Sequence, residues 1–502
     1  MQTQQDGIKR LSIVAGLAVV LVGAARTSAQ PELANVAEAE AEMNPTPPSV
    51  ERTPRRVKPE ATPKAPSQQT PVERAPASPT PPGQTATPTP PATDPATPAA
   101  PLADPGEREW FGGLPIYRWS RATGDWGGAR TWLEDRGIEF AASYTLDWSS
   151  VWDGGLVNEA STRTQFDANV TFDLETMVGL EGASVYLDFY STDSRGGWEY
   201  VGDFQGTSNI QTGTNRDQIA ELWFEQKAFD DRLRVKVGKI DANLEFGFPE
   251  IAGDFINSAA AYSPTSYRYM PTFPDPATGA VVFMHPTENV YVGGGFFDGA
   301  FATGRGTGYL GPDSLFEGNQ FFWINEAGIT WDPGDGASQS LGTGRIAAGW
   351  FYNSGDLERL DGSTEEGTGG LYAIAEQQLT RVGLDGVAPS DGEDPRGLHV
   401  FLQFGTADGG LSPAERHFAV GSVLKGMPLG RTYDSSGVYL TWADMSAEAG
   451  ATENERTLEF YYRIEITPFI HLTPDIQYVI NPSGAEDVDN ALVGALRLEV
   501  AF

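Results

Sequence analysis

Charged side chains occupy every second position in several segments of the chain. In LEFYYRIEI, Glu459, Arg463 and Glu465 alternate with apolar and aromatic residues, and in the final stretch LVGALRLEVAF, Arg497 and Glu499 do the same. Guanidinium groups only donate hydrogen bonds and carboxylates only accept them, so such a surface can pair with itself or bind a polar solute reversibly. The pattern predicts hydrogen-bonding chemistry on one face of extended segments.

Residues suited to covalent or metal chemistry are scarce. The 502-residue chain has no cysteine, which excludes disulfides and thiolate ligands, and His285, His399, His417 and His471 lack the spacing of metal ligands. A glycosidase pair requires two carboxyls held at a defined separation, which a sequence does not show. We therefore expect neither an enzyme nor a cofactor or metal site.

Segments with a period of two must position these polar groups. In FAASYTLDW, RTQFDANVTFDL, SVYLDFY and LEFYYRIEI, apolar residues share one face and polar residues the other. Turn-rich stretches such as DGGLVN and NPSGAEDVDN separate the segments. Alternation with intervening turns predicts antiparallel strands joined as hairpins, and so an all-β domain.

The N-terminal part of the chain differs from the rest. Residues 1–29 contain a basic start, an apolar run and small residues, as a secretory signal peptide does. Residues 30–109 are rich in Pro, Ala and Thr, so we expect a disordered periplasmic spacer. Residues 110–502 form the predicted folded domain. It opens with a short helix from Gly128 to Arg136, capped by Asp125 and ended by Gly137.

The alternating segments fit a membrane barrel better than a secreted sandwich. Several runs reach about nine residues, the length that crosses a bilayer when tilted, and aromatic residues lie near their ends. Backbone polar groups in lipid must pair internally, so such strands have to close into a transmembrane β-barrel. A net charge of −34 argues against nucleic acid as a partner.

Several motifs resemble the carbohydrate-selective porins of the OprB type. They are GDWGGARTWLEDRGIEF at residues 124–140, AELWFEQKAFDDRLRVKVGKI at 220–240, GRTYDSSGVYLTWADMS at 430–446, and the closing hairpins at 458–484 and 494–502. They follow the family's order and span the domain at intervals. The resemblance implies a 16-stranded barrel through which sugars diffuse passively across the outer membrane.

A sugar-selective pore should present bidentate polar partners and aromatic planes, each weak enough to release the solute. Inward-folded loops should narrow it further. The predicted pore-lining, substrate-binding residues are Arg163, Asp167, Asp188, Glu221, Trp223, Glu225, Arg234, Lys236, Glu459, Arg463, Glu465, Asp475, Gln477, Arg497 and Glu499.

The ends of the domain carry two further hypotheses. Trp126 and Trp132 of the entry helix either plug the lumen or cap the barrel's surface. Phe502 resembles the terminal aromatic residue by which the barrel-assembly machinery recognises its substrates. Other expected partners are outer-membrane lipid, lipopolysaccharide and, through the spacer, the cell wall.

Three questions stay open at the level of sequence. A general, non-selective diffusion porin shares this fold and location, and a secreted carbohydrate-binding or carbohydrate-active β-protein is the alternative from another class. The oligomeric state is a monomer or a homotrimer.

Overall fold

Sixteen antiparallel strands close into a barrel in which each strand pairs with its neighbours in sequence and β1 pairs with β16. The structure is a computed structural model that describes residues 109–195, 197–303, 307, 320–332, 342–381, 396–426 and 431–502. The strands are β1 (Ile138–Gly155), β2 (Ala160–Asp173), β3 (Ala183–Arg195), β4 (Arg216–Ala228), β5 (Leu233–Ile240), β6 (Ala277–Thr287), β7 (Val290–Asp298), β8 (Phe321–Trp331), β9 (Gly344–Glu358), β10 (Thr364–Gln378), β11 (Gly397–Thr406), β12 (Ala414–Lys425), β13 (Ser435–Met445), β14 (Glu455–Thr467), β15 (Ile470–Ile480) and β16 (Asp489–Ala501). The predicted all-β barrel is confirmed, whereas the proposed signal peptide and nearly all of the spacer lie outside the described residues.

The two faces of each strand have opposite environments. On β14, Leu458 and Phe460 are 45% and 52% exposed, whereas the alternate residues Glu459 and Tyr461 are fully buried. Consecutive strand residues point to opposite faces, so the exposed apolar row covers the outer wall and the polar row faces the lumen. The predicted assignment of faces is confirmed.

The barrel closes where its first and last strands meet. Asp147 of β1 lies opposite Arg497 of β16, and the backbone N–H of Phe502 donates to the carbonyl of Ala142 at 2.8 Å. With an even number of strands, the chain enters and leaves at the same end. We call that end the terminal rim and the opposite end the far rim.

Short helices and turns lie outside the strands. The α-helices are Ala129–Glu134, Leu174–Val178, Trp198–Val201, Ser258–Ala261 and Pro264–Tyr267, and the 3-10 turns are Ile116–Arg118, Trp126–Gly128, Ala242–Leu244, Glu250–Asp254, Ala300–Thr303, Ala447–Ala449 and Pro482–Gly484. Among the described residues, no helix is long and apolar enough to cross a membrane.

The predicted entry helix exists but is shorter than expected. It begins one residue later than Gly128, which is itself the N-cap residue in a left-handed conformation. The Asp125 carboxylate nevertheless accepts the backbone N–H of Thr131 at 3.2 Å, so it satisfies one first-turn donor. Gly137 adopts φ 79°, a left-handed conformation typical of a residue that follows a helix.

Two far-rim connections fold back into the lumen. Insert A is residues 197–215 and insert B is residues 241–276, and both are largely buried against inward-facing wall side chains. Phe255 of insert B, for example, packs on Tyr439 and Tyr461 of the wall, with ring centroids 4.8 Å away in each case. The core of this barrel is therefore built between its wall and the inserts.

Candidate functional site

Wall glutamates hold insert B by its backbone. Gly247 and Ile251 donate their N–H groups to Glu326 at 3.0 Å and to Glu376 at 2.8 Å. Two more such bonds run from the N–H of Asp241 to Glu221 at 2.9 Å and from the N–H of Ile256 to Glu459 at 2.6 Å. Each bond satisfies a backbone N–H group of the insert, and the four bonds together fix insert B at four points on four strands.

Insert A is held in the same way by Glu455, and Arg163 adds a side-chain contact. Glu455 accepts the N–H groups of Phe204 and Gln205 at 2.7 and 2.8 Å. Arg163 is fully buried and donates to the side chain of Gln211 at 3.1 Å. These contacts join residues far apart in sequence and keep insert A against β2 and β14.

Arg497 forms a buried clamp across the strand pair that closes the barrel. Its guanidinium donates to both carboxylate oxygens of Asp147 at 2.7 and 2.8 Å, and to the side-chain oxygen of Asn209 at 2.5 Å. Ser208 donates to the same carboxylate at 2.8 Å. The clamp joins β1, β16 and insert A.

Three wall arginines each face an acidic residue of insert B. Arg234 on β5 bonds to Glu245 at 2.5 Å. Arg345 on β9 lies 3.8 Å from Glu250, and Arg463 on β14 lies 3.8 Å from Asp254. We call residues 245–254, with the three arginines, the charged strip.

Each arginine of the charged strip also pairs with a wall carboxylate. Arg234 bonds to Glu225 at 3.2 Å, Arg345 to Glu376 at 2.7 Å, and Arg463 to Glu499 at 3.1 Å. The three arginine side chains keep 26%, 17% and 18% of their exposure, so solvent reaches part of each guanidinium.

The charges of the strip set the ionisation of the insert. Burial alone would raise the pKa of Glu245, but Lys236 and Arg234 lower this pKa to about 2. Burial likewise opposes ionisation of Asp254, whereas Arg463 and Lys425 lower its pKa below the usual value. Both carboxylates are therefore anionic at neutral pH.

Glu250 is the most exposed residue of the strip, and the half-buried Phe248 lies two positions before it. The Glu250 side chain is 66% exposed, and the carbonyl of Phe248 accepts from Arg345 at 2.6 Å. The exposed carboxylate of Glu250, the partly exposed guanidinium of Arg345 and the ring of Phe248 thus lie together. Groups of these three kinds bind polyhydroxylated solutes. Among the described residues, no cluster of three or more His, Asp or Glu side chains is arranged to hold a metal ion.

The family model described as "Carbohydrate-selective porin, OprB family" matches residues 158–502. The chain belongs to the OprB family of carbohydrate-selective porins. The resemblance seen in the sequence motifs is thereby confirmed.

Relatives of this porin match most of its length. It is 25% identical over 441 residues to Porin B of Pseudomonas aeruginosa, covering 76% of this chain and 90% of that protein. It is 22% identical over 429 residues to the putative porin QuiX of Acinetobacter baylyi, covering 76% and 92%. The high-pH structure of Pseudomonas putida OprB shares the fold, with a TM-score of 0.66 at 22% identity, over 77% of this chain and 99% of that one.

The structure places the predicted pore-lining residues of this porin, apart from Trp223, in three settings. Those that hold the inserts or their anchors are Arg163, Glu221, Glu459, Asp475, Gln477 and Arg497. Those in or beside the charged strip are Glu225, Arg234, Lys236, Arg463, Glu465 and Glu499. Asp167 and Asp188 are buried on the inward faces of β2 and β3. Whether any of them touches a sugar stays a prediction.

Trp223 has both aromatic and cationic neighbours. Its ring stacks on Tyr186 with centroids 4.8 Å apart, and the Lys236 ammonium lies 3.8 Å from its centroid. The Trp223 ring is thus held between an aromatic ring and a cation and is half-buried.

The entry helix lies at the terminal rim. Trp126 packs beside the outward-facing Phe140 with ring centroids 5.9 Å apart, and Arg130 donates to the carbonyl of Phe502 at 3.4 Å. Trp132 is 52% exposed. This placement favours the cap interpretation over the plug.

Several important residues were missed in the sequence. Arg345 of the charged strip and its partner Glu376 lie on β9 and β10, which contain several Gly and Ala residues that weaken the alternation. The anchor Glu326 on β8 was also missed. Asp147 lies on a polar face that the alternation did identify, but nothing marked it as the partner of Arg497. Asp147 can be recognised as the partner of Arg497 only once the pairing of β1 with β16 is known.

Proposed function

We propose that this porin passes sugars through the outer membrane by passive diffusion and selects them at the charged strip. One observation carries the proposal: Arg234, Arg345 and Arg463 on the wall face Glu245, Glu250 and Asp254 on insert B. The family membership and the barrel imply a channel in the outer membrane rather than an enzyme.

The chemistry of the strip suits a sugar better than an ion. A hydroxyl group both donates and accepts, so neighbouring carboxylates and guanidinium groups can satisfy both of its roles. A free anion is instead repelled by the carboxylates of the strip, and a free cation by its guanidinium groups, while the groups of opposite charge attract them. Each hydroxyl contact replaces a bond to water, so its net contribution is small and the solute can leave.

The orientation of the barrel in the membrane is inferred from the position of its termini. With an export signal and a spacer before the first strand, the terminal rim would face the periplasm and the inserts would enter from outside. We also propose that the barrel-assembly machinery recognises Phe502 and that the spacer contacts the cell wall. Lipopolysaccharide would then surround the outer wall of the barrel, and the protein would be a monomer or a homotrimer.

Planar-bilayer recording tests the sugar site. Purified protein should show an ion current that glucose or maltose blocks in a saturable way, and Arg345→Ala should raise the dissociation constant of the block about fivefold, for a loss of about 1 kcal/mol. Arg416→Ala is the matched control, because Arg416 pairs with Asp444 on the far-rim side and is 59% exposed. Equal block in Arg345→Ala, Glu250→Gln and the unmodified protein would contradict the site.

Liposome swelling separates selectivity from general diffusion. A sugar-selective channel should admit mono- and disaccharides faster than amino acids of similar size. Equal rates for both classes would instead show a general diffusion porin with the same fold.

A further inference from the structure

Residues 109–137 form a small folded unit beside the barrel, which we call the foot. Trp119 is 3% exposed at its centre, and the indole N–H of Trp119 donates to the carbonyl of Leu114 at 2.9 Å. The Glu109 carboxylate accepts the backbone N–H of Ser120 at 2.8 Å. The foot therefore has its own internal contacts and a fixed surface.

The foot continues the outer wall of the barrel. The N–H of Ala122 donates to the carbonyl of Ala501 at 2.8 Å, which fixes the foot to the end of β16. Trp126 packs on Phe140, which belongs to the same outward row of β1 as Trp148. Trp126 thus joins the foot to the lipid-facing surface of the strands.

The foot exposes far more large apolar surface than an aqueous surface favours. Phe111 is 80% exposed, Tyr117 60%, Ile116 55% and Trp132 52%. Moving such side chains from water to an apolar environment is favourable, roughly in proportion to the apolar area removed from water. Other exposed apolar residues lie on the terminal-rim connections, with Val178 at 73% and Phe229 at 75%.

Basic side chains accompany the apolar surface. Arg118 is exposed directly after Ile116 and Tyr117. Arg136 stacks over the ring of Trp132 at 4.1 Å. Aromatic rings with arginines beside them are typical of the headgroup region of a bilayer, where rings contact acyl chains and arginines reach phosphates.

We propose that the foot is a membrane anchor that sits in the headgroup region of the bilayer leaflet at the terminal rim. Phe111, Ile116, Tyr117 and Trp132 contact the lipid, and Arg118 and Arg136 bind phospholipid phosphates. Phospholipid is favoured over a second copy of the chain or a cell-wall glycan because Trp126 joins the foot to the lipid-facing wall.

Depth measurement by spin labelling tests the anchor in the full-length protein. The chain has no cysteine, so a single introduced cysteine carries the only nitroxide. Phe111→Cys and Tyr117→Cys are compared with two references: Val438→Cys on the outer wall of β13, where Val438 is 43% exposed, and Glu486→Cys on an exposed far-rim connection. Heat-modifiable migration on gels checks that each variant has folded.

In proteoliposomes, labels at positions 111 and 117 should be more accessible to oxygen than to a water-soluble nickel chelate. Their ratio should lie between the values at 438 and 486. A ratio equal to that at 486 would overturn the proposal, as would line broadening that disappears on dilution with unlabelled protein, since that result identifies a second copy as the partner.

The phosphate contact has its own measurement. In the Phe111→Cys background, Arg118→Gln and Arg136→Gln together should move the label towards water in vesicles containing anionic phospholipid. An unchanged ratio would overturn the contact with phosphate. Glu486→Gln in the same background is the matched control and should leave the ratio unaltered.

Discussion

Replacing Arg497 with methionine should destabilise the barrel more than the loss of an exposed ion pair. Arg497 and Asp147 keep only 4% and 1% of their side-chain exposure and share two hydrogen bonds. In Arg497→Met the Asp147 carboxylate stays buried with Ser208 as its described hydrogen-bond donor. Leaving one member of a buried ion pair without its partner costs about 3–5 kcal/mol.

A double variant separates the cost of an isolated charge from the value of the pair. Asp147→Leu combined with Arg497→Met removes both charges and keeps a similar side-chain volume. Replacing a buried ion pair with apolar residues in this way often changes the free energy of unfolding little. The lost hydrogen bonds to Ser208 and Asn209 add about 1 kcal/mol each. The double variant should therefore be destabilised by about 2 kcal/mol, less than Arg497→Met alone.

Urea unfolding in lipid vesicles, followed by tryptophan fluorescence and gel migration, measures the free energies of unfolding. The control is Arg121→Met, because Arg121 and Glu134 form a pair of similar length, 2.9 Å, with 28% and 31% exposure. An exposed pair contributes about 0–1 kcal/mol. If Arg497→Met and Arg121→Met cost the same, or if the double variant costs the sum of its two single variants, the clamp does not stabilise the barrel as described.

Arg463→Ala should weaken sugar block of the ion current about fivefold. It should lower the free energy of unfolding less than Arg497→Met does, because the Arg463 side chain is 18% exposed and the Arg497 side chain only 4%; unchanged block would remove Arg463 from the site. Deleting Phe502 should lower the yield of inserted barrels in cells but leave the conductance of those already formed unchanged, and normal yield would argue against an assembly signal. Burial and the neighbouring Glu455 raise the pKa of Asp203 from 3.8 to about 8, so the folded state keeps a proton that the unfolded chain releases, and stability falls as pH rises between these values. Asp203→Asn should remove this pH-dependent loss of stability. The variant should be more stable than the unmodified protein at about pH 8 and about equally stable at about pH 4. Urea unfolding at the two pH values measures both differences.

The sequence predicted the wall of the barrel but not its contents. Alternation alone placed Arg163 and Arg497 on the inward face, because strand geometry makes the period of two strict. Inserts A and B have no such period. Their anchors, such as Glu455 with Phe204, depend on contacts between residues about 250 positions apart.

The same limit explains the partial prediction of the site. Arg234 and Arg463 were identified because they lie between clear apolar neighbours. Glu245, Glu250 and Asp254 were not, because an acidic residue in an irregular segment has no signal until the segment is placed. Composition gave no help, since the chain has 68 Asp and Glu residues.

The anchors of insert B carry an evolutionary consequence. Glu221, Glu326, Glu376 and Glu459 bind the backbone N–H groups of the insert rather than its side chains. Any residue except proline offers that N–H group, so substitutions in the insert leave the attachment points unchanged. The scaffold can therefore remain constant while residues such as Phe248 and Glu250 vary, which gives one barrel a route to new solutes through single codon changes.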